Sequence, residues 1–315
     1  MSTQAYRGNS IAVILPCFNE APAIGKVVAD FGAALPEAMI HVFDNCSTDE
    51  TAAIARAAGA EVISVAMRGK GNVVRRMFAD VEADIFVMAD GDGTYDASAA
   101  RQLVDRLIDG RLDMVVGTRV AAGSGGEYRF GHRLGNRVLT GTVAHIFGAG
   151  FTDMLSGYRV FSRRYVKSFP ALSKGFEIET ELTIHALELR APYAELPIAY
   201  GARVDGTASK LTTFRDGGRI MKSILRLYMR ERPRQFYLVL AAGGAIASLV
   251  LGIPIIVEYL QTGLVPRLPT AVLAAVVMLG ALLSASCAVI LDSVVTARAE
   301  AKRLTYLGIA AVRER

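Results

Sequence analysis

Phe86-Val87-Met88-Ala89-Asp90-Gly91-Asp92-Gly93-Thr94-Tyr95 reads as a buried strand that ends in two carboxylates one glycine apart. Alternate side chains of an extended chain share a face, so Asp90 and Asp92 are spaced to converge just past the strand end. Two hard oxygen donors there suit Mg2+ or Mn2+, ions that keep their other positions for water and a diphosphate. The competing reading is a chain reversal, because Asp-Gly pairs are ordinary turn formers. A helix-loop-helix calcium loop fits badly. Thr94 and Tyr95 stand where a third oxygen donor and the obligatory glycine belong, and Arg101 stands where a bidentate glutamate is required.

Working outward, short apolar runs alternate with helical patterns. Strands are expected at 11–15, 40–43, 61–65, 85–89 and 114–117, and helices at 23–34, 48–58, 72–81 and 99–108. Ser47-Thr48-Asp49-Glu50 has the form of a capping box for the second helix. Repeated strand-helix-strand units imply a mainly parallel sheet covered on both faces, with ligands bound outside the carboxyl ends of its strands. At those ends stand Pro16-Cys17-Phe18-Asn19-Glu20, Asp44-Asn45-Cys46-Ser47-Thr48-Asp49, Arg68-Gly69-Lys70-Gly71, and the Asp90/Asp92 pair. A dinucleotide-binding fingerprint is missing, because no glycine follows the first strand before Gly25.

Of the 315 residues, 52% are hydrophobic, and the excess lies in the last quarter. No residue is charged over 236–257 or over 270–291. Each run makes a helix of about 33 Å, against a hydrocarbon core of about 30 Å. Arg230, Arg232 and Arg234 precede the first run and Arg298, Lys302 and Arg303 follow the second, whereas the connection holds only Glu258 and Arg267. The positive-inside rule then expects both long ends on the cytoplasmic side of the inner membrane. The first ten residues lack the apolar run of a signal peptide. Cys17, Cys46 and Cys287 fall in no ligand-spaced motif and read as reduced thiols. Over 213–235, Arg215, Arg219, Lys222, Arg226 and Arg230 share one helical face opposite Ile220, Met221, Ile224, Leu225 and Tyr228, the pattern of a helix lying in a membrane interface. The net charge of +5 is largely juxtamembrane, which favours lipid headgroups over nucleic acid.

The ordered set Leu-Pro-Cys-Phe-Asn-Glu (15–20), Asp-Asn-Cys-Ser-Thr-Asp (44–49), Arg-Gly-Lys-Gly-Asn (68–72), Ala-Asp-Gly-Asp-Gly-Thr-Tyr (89–95) and Asp-Met-Leu-Ser-Gly-Tyr-Arg (153–159) resembles the family-2 glycosyltransferases. More narrowly, it is similar to their polyprenyl-phosphate group, over about residues 10–235. The resemblance implies a Rossmann-like GT-A α/β domain over 1–212, followed by the interfacial helix at 213–235. A transmembrane hairpin at 236–291 and a cytoplasmic tail at 292–315 complete the expected organisation. It further implies a nucleotide-diphosphate sugar donor, a divalent cation and inversion at the anomeric carbon. By the same resemblance Asp44 contacts the donor's base or ribose, with Pro16, Phe18, Glu20 and Lys70 in the donor site. Asp90 and Asp92 correspond to the metal and diphosphate motif. Thr94 stands where members often carry Gln or Asn as an added metal contact.

A lipid phosphate with a second pKa near 6 is largely the dianion at neutral pH, so it needs alignment more than a general base. Arginines suit that task because their planar forks grip phosphate oxygens in pairs. The acceptor-phosphate candidates are Arg119, Arg133, Arg203 and Lys210, positions that match basic residues of the family. Asp153 matches the acid discussed as base or orienter; a helix cap or a pairing with Arg159 are its alternatives. Glu177, Glu179 and Glu181 read as structural. The expected reaction moves a hexose or N-acetylhexosamine from a UDP-sugar, or next from GDP-mannose, to undecaprenyl phosphate, and small residues in the spans leave room for a homo-oligomer. A processive polysaccharide synthase and a non-catalytic nucleotide-binding scaffold are the alternatives. The first typically carries a Gln-x-x-Arg-Trp motif, and this chain has no tryptophan.

Overall fold

The computed structural model describes residues 5–121, 141, 150–175, 177–201, 229 and 232–312. Its contacts divide the chain into two units, Met1–Ile220 with Ala301–Arg315, and Met221–Glu300.

The first unit is built on seven strands: β1 (Ile11–Cys17), β2 (Met39–Asp44), β3 (Glu61–Ser64), β4 (Ile85–Met88), β5 (Met114–Ala121), β6 (Arg159–Ser162) and β7 (Tyr193–Tyr200). They form one sheet in the order β3-β2-β1-β4-β6-β5-β7. The helices are α1 (Ala21–Ala34), α2 (Thr51–Ala57), α3 (Lys70–Asp80), α4 (Ala99–Asp109), α5 (Arg163–Ser168) and α6 (Ile178–Leu189). Strands β1 and β4 read as continuous apolar runs because they are covered on both faces; Val13, Ile14, Leu15 and all four residues of β4 are fully buried. Ile24, Val28 and Phe31 of α1 and Leu103, Val104 and Leu107 of α4 recur at helical spacing and close one face of the sheet.

One strand runs against the rest. Strand β6 pairs antiparallel with both β4 and β5, with Arg159 opposite Met88 on one side and Val116 on the other. Its start therefore lies where β4 finishes and beside Val116 of β5, which runs on to Ala121, and the reversal brings residues 153–158 to the carboxyl-end side of the parallel strands.

Two local expectations change. Helix α2 starts at Thr51, not 48, and no capping box forms. Asp49 instead accepts the Thr51 N–H at 3.1 Å, and its other oxygen accepts the Ala21 N–H at 3.2 Å, so this carboxylate ties the starts of α1 and α2 together. The expected strand at 114–117 extends to Ala121, because β7 lies parallel beside it over its whole length.

The second unit contains α7 (Pro233–Thr262) and most of α8 (Leu268–Leu307). The most apolar windows have mean hydropathy of 2.3 and 2.4 with 17% of each buried, unlike the core helix of a soluble domain. By length and composition both suit a membrane. Within the apolar runs the buried positions are Ala241, Ser248 and Ile255 of α7 and Ala274, Ala281 and Ala288 of α8, spaced by seven. Small side chains let the backbones approach: Ser248 donates to the Ala274 carbonyl at 2.7 Å, and a Cβ on Gly244 would lie 3.1 Å from that of Ala281. The tail expected from 292 is helical to Leu307, and residues 301–312 belong to the first unit.

Candidate active site

The loops at the carboxyl ends of β1, β2 and β3 are tied into one wall. Cys17 accepts the Asn45 N–H at 2.8 Å, and the Asn45 amide donates to the carbonyls of Val65 and Met67 and accepts the Gly69 N–H at 2.7 Å. Asn45, which the motif reading passed over, thus links the Asp44 corner to the glycine-lysine turn. Asp44 and Glu20 are buried here, Pro16 is the penultimate residue of β1, and Arg68 lies over the Phe18 ring at 5.2 Å. Gly69 takes φ +121°, a conformation that favours glycine, and a side chain on it or on Gly71 would collide with the carbonyls of Lys174 and Ser173. Glu181 fixes that covering segment by accepting the N–H groups of Leu172 and Ser173 at 3.0 and 2.8 Å, the structural role its position suggested.

Lys70 starts α3 and carries its ammonium into the site, where it meets Asp90 Oδ1 at 2.5 Å and Glu179 Oε1 at 2.6 Å. Burial disfavours its charge, but the two carboxylates outweigh burial and push its pKa up, so the ammonium stays protonated. Glu179, only 4% exposed, supports the Lys70 ammonium from α6, a structural contact that places it beside the candidate site. The sequence did not mark this partner; the signal is a buried charge in α6, which demands one from elsewhere in the fold.

Asp90 sits against Gly157, whose missing side chain leaves room for it: a Cβ there would lie 2.7 Å from Asp90 Oδ2. Asp92 is buried and accepts from Thr94 Oγ1 at 2.7 Å and Thr94 N at 3.2 Å. Thr94 thus fixes a carboxylate. The Tyr95 hydroxyl accepts the Gly157 N–H at 2.9 Å, joining the Asp90 strand end to the loop before β6. Burial, then the neighbouring Asp90 charge, pushes the phenol's pKa up and keeps it neutral.

Across the edge, Arg119 of β5 holds Asp153 in a fork: Nε to Oδ2 and Nη2 to Oδ1, both 2.7 Å, with the backbone N–H adding a 3.2 Å bond to Oδ2. The guanidinium also lies over the Tyr200 ring at 5.6 Å. Burial pushes the Asp153 pKa up, but the Arg119 hydrogen bonds and charge overcome this and hold it below the ordinary carboxylate value. The pairing with Arg159 does not form. Arg159 is fully buried and donates instead to the carbonyls of Ser156 at 2.9 Å and Met154 at 2.5 Å and to Thr183 Oγ1 at 3.0 Å. Arg133, Arg203 and Lys210, like most of the basic segment at 213–235, lie outside the described residues.

Among the described residues no group of three or more His, Cys, Asp and Glu side chains is arranged to cage a metal ion. The donor set fits an ion that takes carboxylate oxygens from Asp90 and Asp92 and fills its other positions with water and diphosphate. That Asp90 already holds an ammonium marks this strand end as a place for cations.

The sequence matches the family described as Glycosyl transferase family 2 over residues 12–169. It is 35% identical over 254 residues to Glycosyltransferase AglJ of Haloferax volcanii, covering 80% of this chain and 82% of that protein. It is 30% identical to the Dolichyl-phosphate hexose transferase of the same organism, over 73% of this chain and 98% of that one. Among solved structures, the fold is similar to glucosyl-3-phosphoglycerate synthase from Mycobacterium tuberculosis in complex with Mn2+, UDP-glucose and glycerol 3-phosphate. There the TM-score is 0.55 with 25% identity, over 70% of this chain and 79% of that one.

Proposed function

The chain belongs to glycosyl transferase family 2 and is a glycosyltransferase with a GT-A fold, and from that premise we propose that it moves a hexose or N-acetylhexosamine from a nucleotide-diphosphate sugar to a polyprenyl phosphate. A UDP-sugar is the favoured donor, GDP-mannose the next, and undecaprenyl phosphate the acceptor. The observation that carries this reading is the Arg119–Asp153 pair on the same sheet edge as Asp90, Asp92 and Lys70. One side of that edge suits a departing diphosphate, the other an incoming phosphate.

In the reaction a phosphate oxygen of the lipid forms a bond to the anomeric carbon as the bond from that carbon to the diphosphate breaks. The electron pair leaves on the nucleoside diphosphate, and the configuration inverts. A Mg2+ or Mn2+ ion held by Asp90 and Asp92 would neutralise charge growing on that leaving group. Lys70 adds a second positive charge to the same oxygens, and Glu179 keeps its ammonium aimed there. Asp44, Glu20, Pro16 and Phe18 form the pocket for base and ribose. Asp153, held ionised by Arg119, orients the arginine and takes no proton, since the acceptor dianion has none to give up. Arg119 grips the acceptor phosphate, with Arg133, Arg203 and Lys210 as its further basic partners.

The two long apolar helices favour a lipid acceptor over a soluble phosphate ester. In this reading they cross the inner membrane with the catalytic unit and both termini on the cytoplasmic side, and the basic segment at 213–235 lies in the headgroup layer. Transfer from UDP- and GDP-sugars to undecaprenyl phosphate, compared with transfer to glycerol 3-phosphate by the detergent-purified chain, tests the acceptor. A lipid product is expected; a product on glycerol 3-phosphate alone would refute the lipid assignment.

A further inference from the structure

Asp153 is held by its side chain at Arg119, and its backbone is held separately from the far edge of the sheet. Tyr193 and Glu195 are two residues apart on β7 and share one of its faces. The Phe151 ring stacks on Tyr193, with centroids 4.1 Å apart and planes at 15°. The next two residues then meet Glu195. Its carboxylate accepts the Thr152 N–H at 2.9 and 3.0 Å, the Asp153 N–H at 3.2 Å and the Thr152 hydroxyl at 3.0 Å. Glu195 in turn stands beside Val116 in the β5–β7 register, three residues before Arg119. Both partners of the Arg119–Asp153 fork are thereby referred to the same pair of strands.

We propose that Glu195 is a positioning residue for catalysis, which fixes the backbone at Asp153 so that Arg119, oriented by its fork to Asp153, is set for the acceptor phosphate before substrate arrives. This rests on the reading of Arg119 and Asp153 as the acceptor-side pair. The buried Arg159 secures the other end of the same loop by binding the carbonyls of Met154 and Ser156. Two consecutive N–H groups converging on one anion form a local anion seat, stronger than a single neutral hydrogen bond. Because these bonds lie at an exposed part of the surface, Glu195 contributes little to global stability, and its loss falls on alignment.

The test compares Glu195→Ala, Glu195→Gln and Asp153→Asn in the full-length chain in detergent, measuring kcat, acceptor and donor KM, UDP affinity by calorimetry, and Tm. Glu195→Ala is expected to lower kcat roughly tenfold to a hundredfold while UDP affinity and Tm stay near the wild-type values. Glu195→Gln should recover most of the loss, since its amide oxygen still accepts the two N–H bonds. Wild-type kcat in Glu195→Ala, alongside an inactive Asp153→Asn, would overturn the proposal and leave the acceptor-side reading standing. An equal fall in UDP affinity and Tm would also overturn it, by showing a general lesion. Full activity in Asp153→Asn would remove both.

Discussion

Gly157 carries a hydrogen where any other residue would place a carbon 2.7 Å from Asp90 Oδ2, and the group that would yield is the carboxylate, not the backbone. Gly157→Ala is therefore expected to cost activity before stability: about a hundredfold in kcat, the scale for a displacement near 1 Å, with Tm almost unchanged in calorimetry. Asp92→Ala removes the second oxygen donor, and no detectable lipid product is expected at any magnesium concentration; unchanged product would sink the metal assignment. Lys70 and Glu179 respond differently, because their charges are mutually compensating and mostly buried. Lys70→Met leaves two carboxylates facing each other without the ammonium, and about 3–5 kcal/mol of stability should be lost in denaturant titration. Adding Glu179→Leu should restore part of that loss without restoring nucleotide binding, so the double-mutant cycle separates the fold's need for the pair from the donor's. At this scale Asp90, Asp92 and Lys70 were legible because short motifs carry them. Glu179 and Glu195 were not, because each acts on a partner far away in sequence.

Among the elements, the parallel strands and their helices announced themselves through apolar runs and helical spacing, whereas β6, only four residues long, had no pattern of its own. Its direction is fixed by pairing between β4 and β5, a tertiary fact, and on that direction depends the arrival of Asp153 at the working edge. The cap of α2 shows the opposite case. A capping-box pattern was present, but Asp49 found two better donors, at Thr51 and at Ala21 of the neighbouring helix, and the helix began later. Helix α6 gives a pH prediction. His185 is buried with its Nε2 3.1 Å from Ser168 Oγ; burial, and then the nearby Lys302 charge, push its pKa down to about 3 from 6.5. Between those values the unfolded chain binds the extra proton and the folded chain does not. The stability tied to neutral His185 is thus fully present above pH 6.5 and falls as pH drops toward 3, by up to about 1.4 kcal/mol per unit. Replacing His185 with Gln should flatten this part of the profile of unfolding free energy against pH; an unchanged slope would exclude it as the source.

For the whole molecule, two apolar runs were enough to mark the second unit, but nothing in the sequence marked the return of residues 301–312 to the first. There Lys302 pairs with Glu188 at 2.5 Å, Arg303 donates to the Leu189 carbonyl at 3.0 Å, and the Tyr306 hydroxyl donates to Asp113 at 2.6 Å. Asp113 is fully buried at the start of β5, where it also receives Ser162 and Arg164. The C-terminal segment is thus part of the first unit's fold and not a solvated tail. Tyr306→Phe should lower stability by about 1–3 kcal/mol in thermal unfolding, since it strips a donor from a buried carboxylate. The joining of this unit to two membrane-suited helices leads to the central claim, which is the lipid acceptor. Its most direct test is transfer from radiolabelled UDP- and GDP-sugars to undecaprenyl phosphate by the detergent-purified chain, with magnesium, manganese or EDTA. The account predicts one donor giving a mild-acid-labile lipid product that disappears with EDTA. Nucleotide binding without lipid product from any donor, in a preparation that glycosylates a soluble phosphate ester, would contradict it.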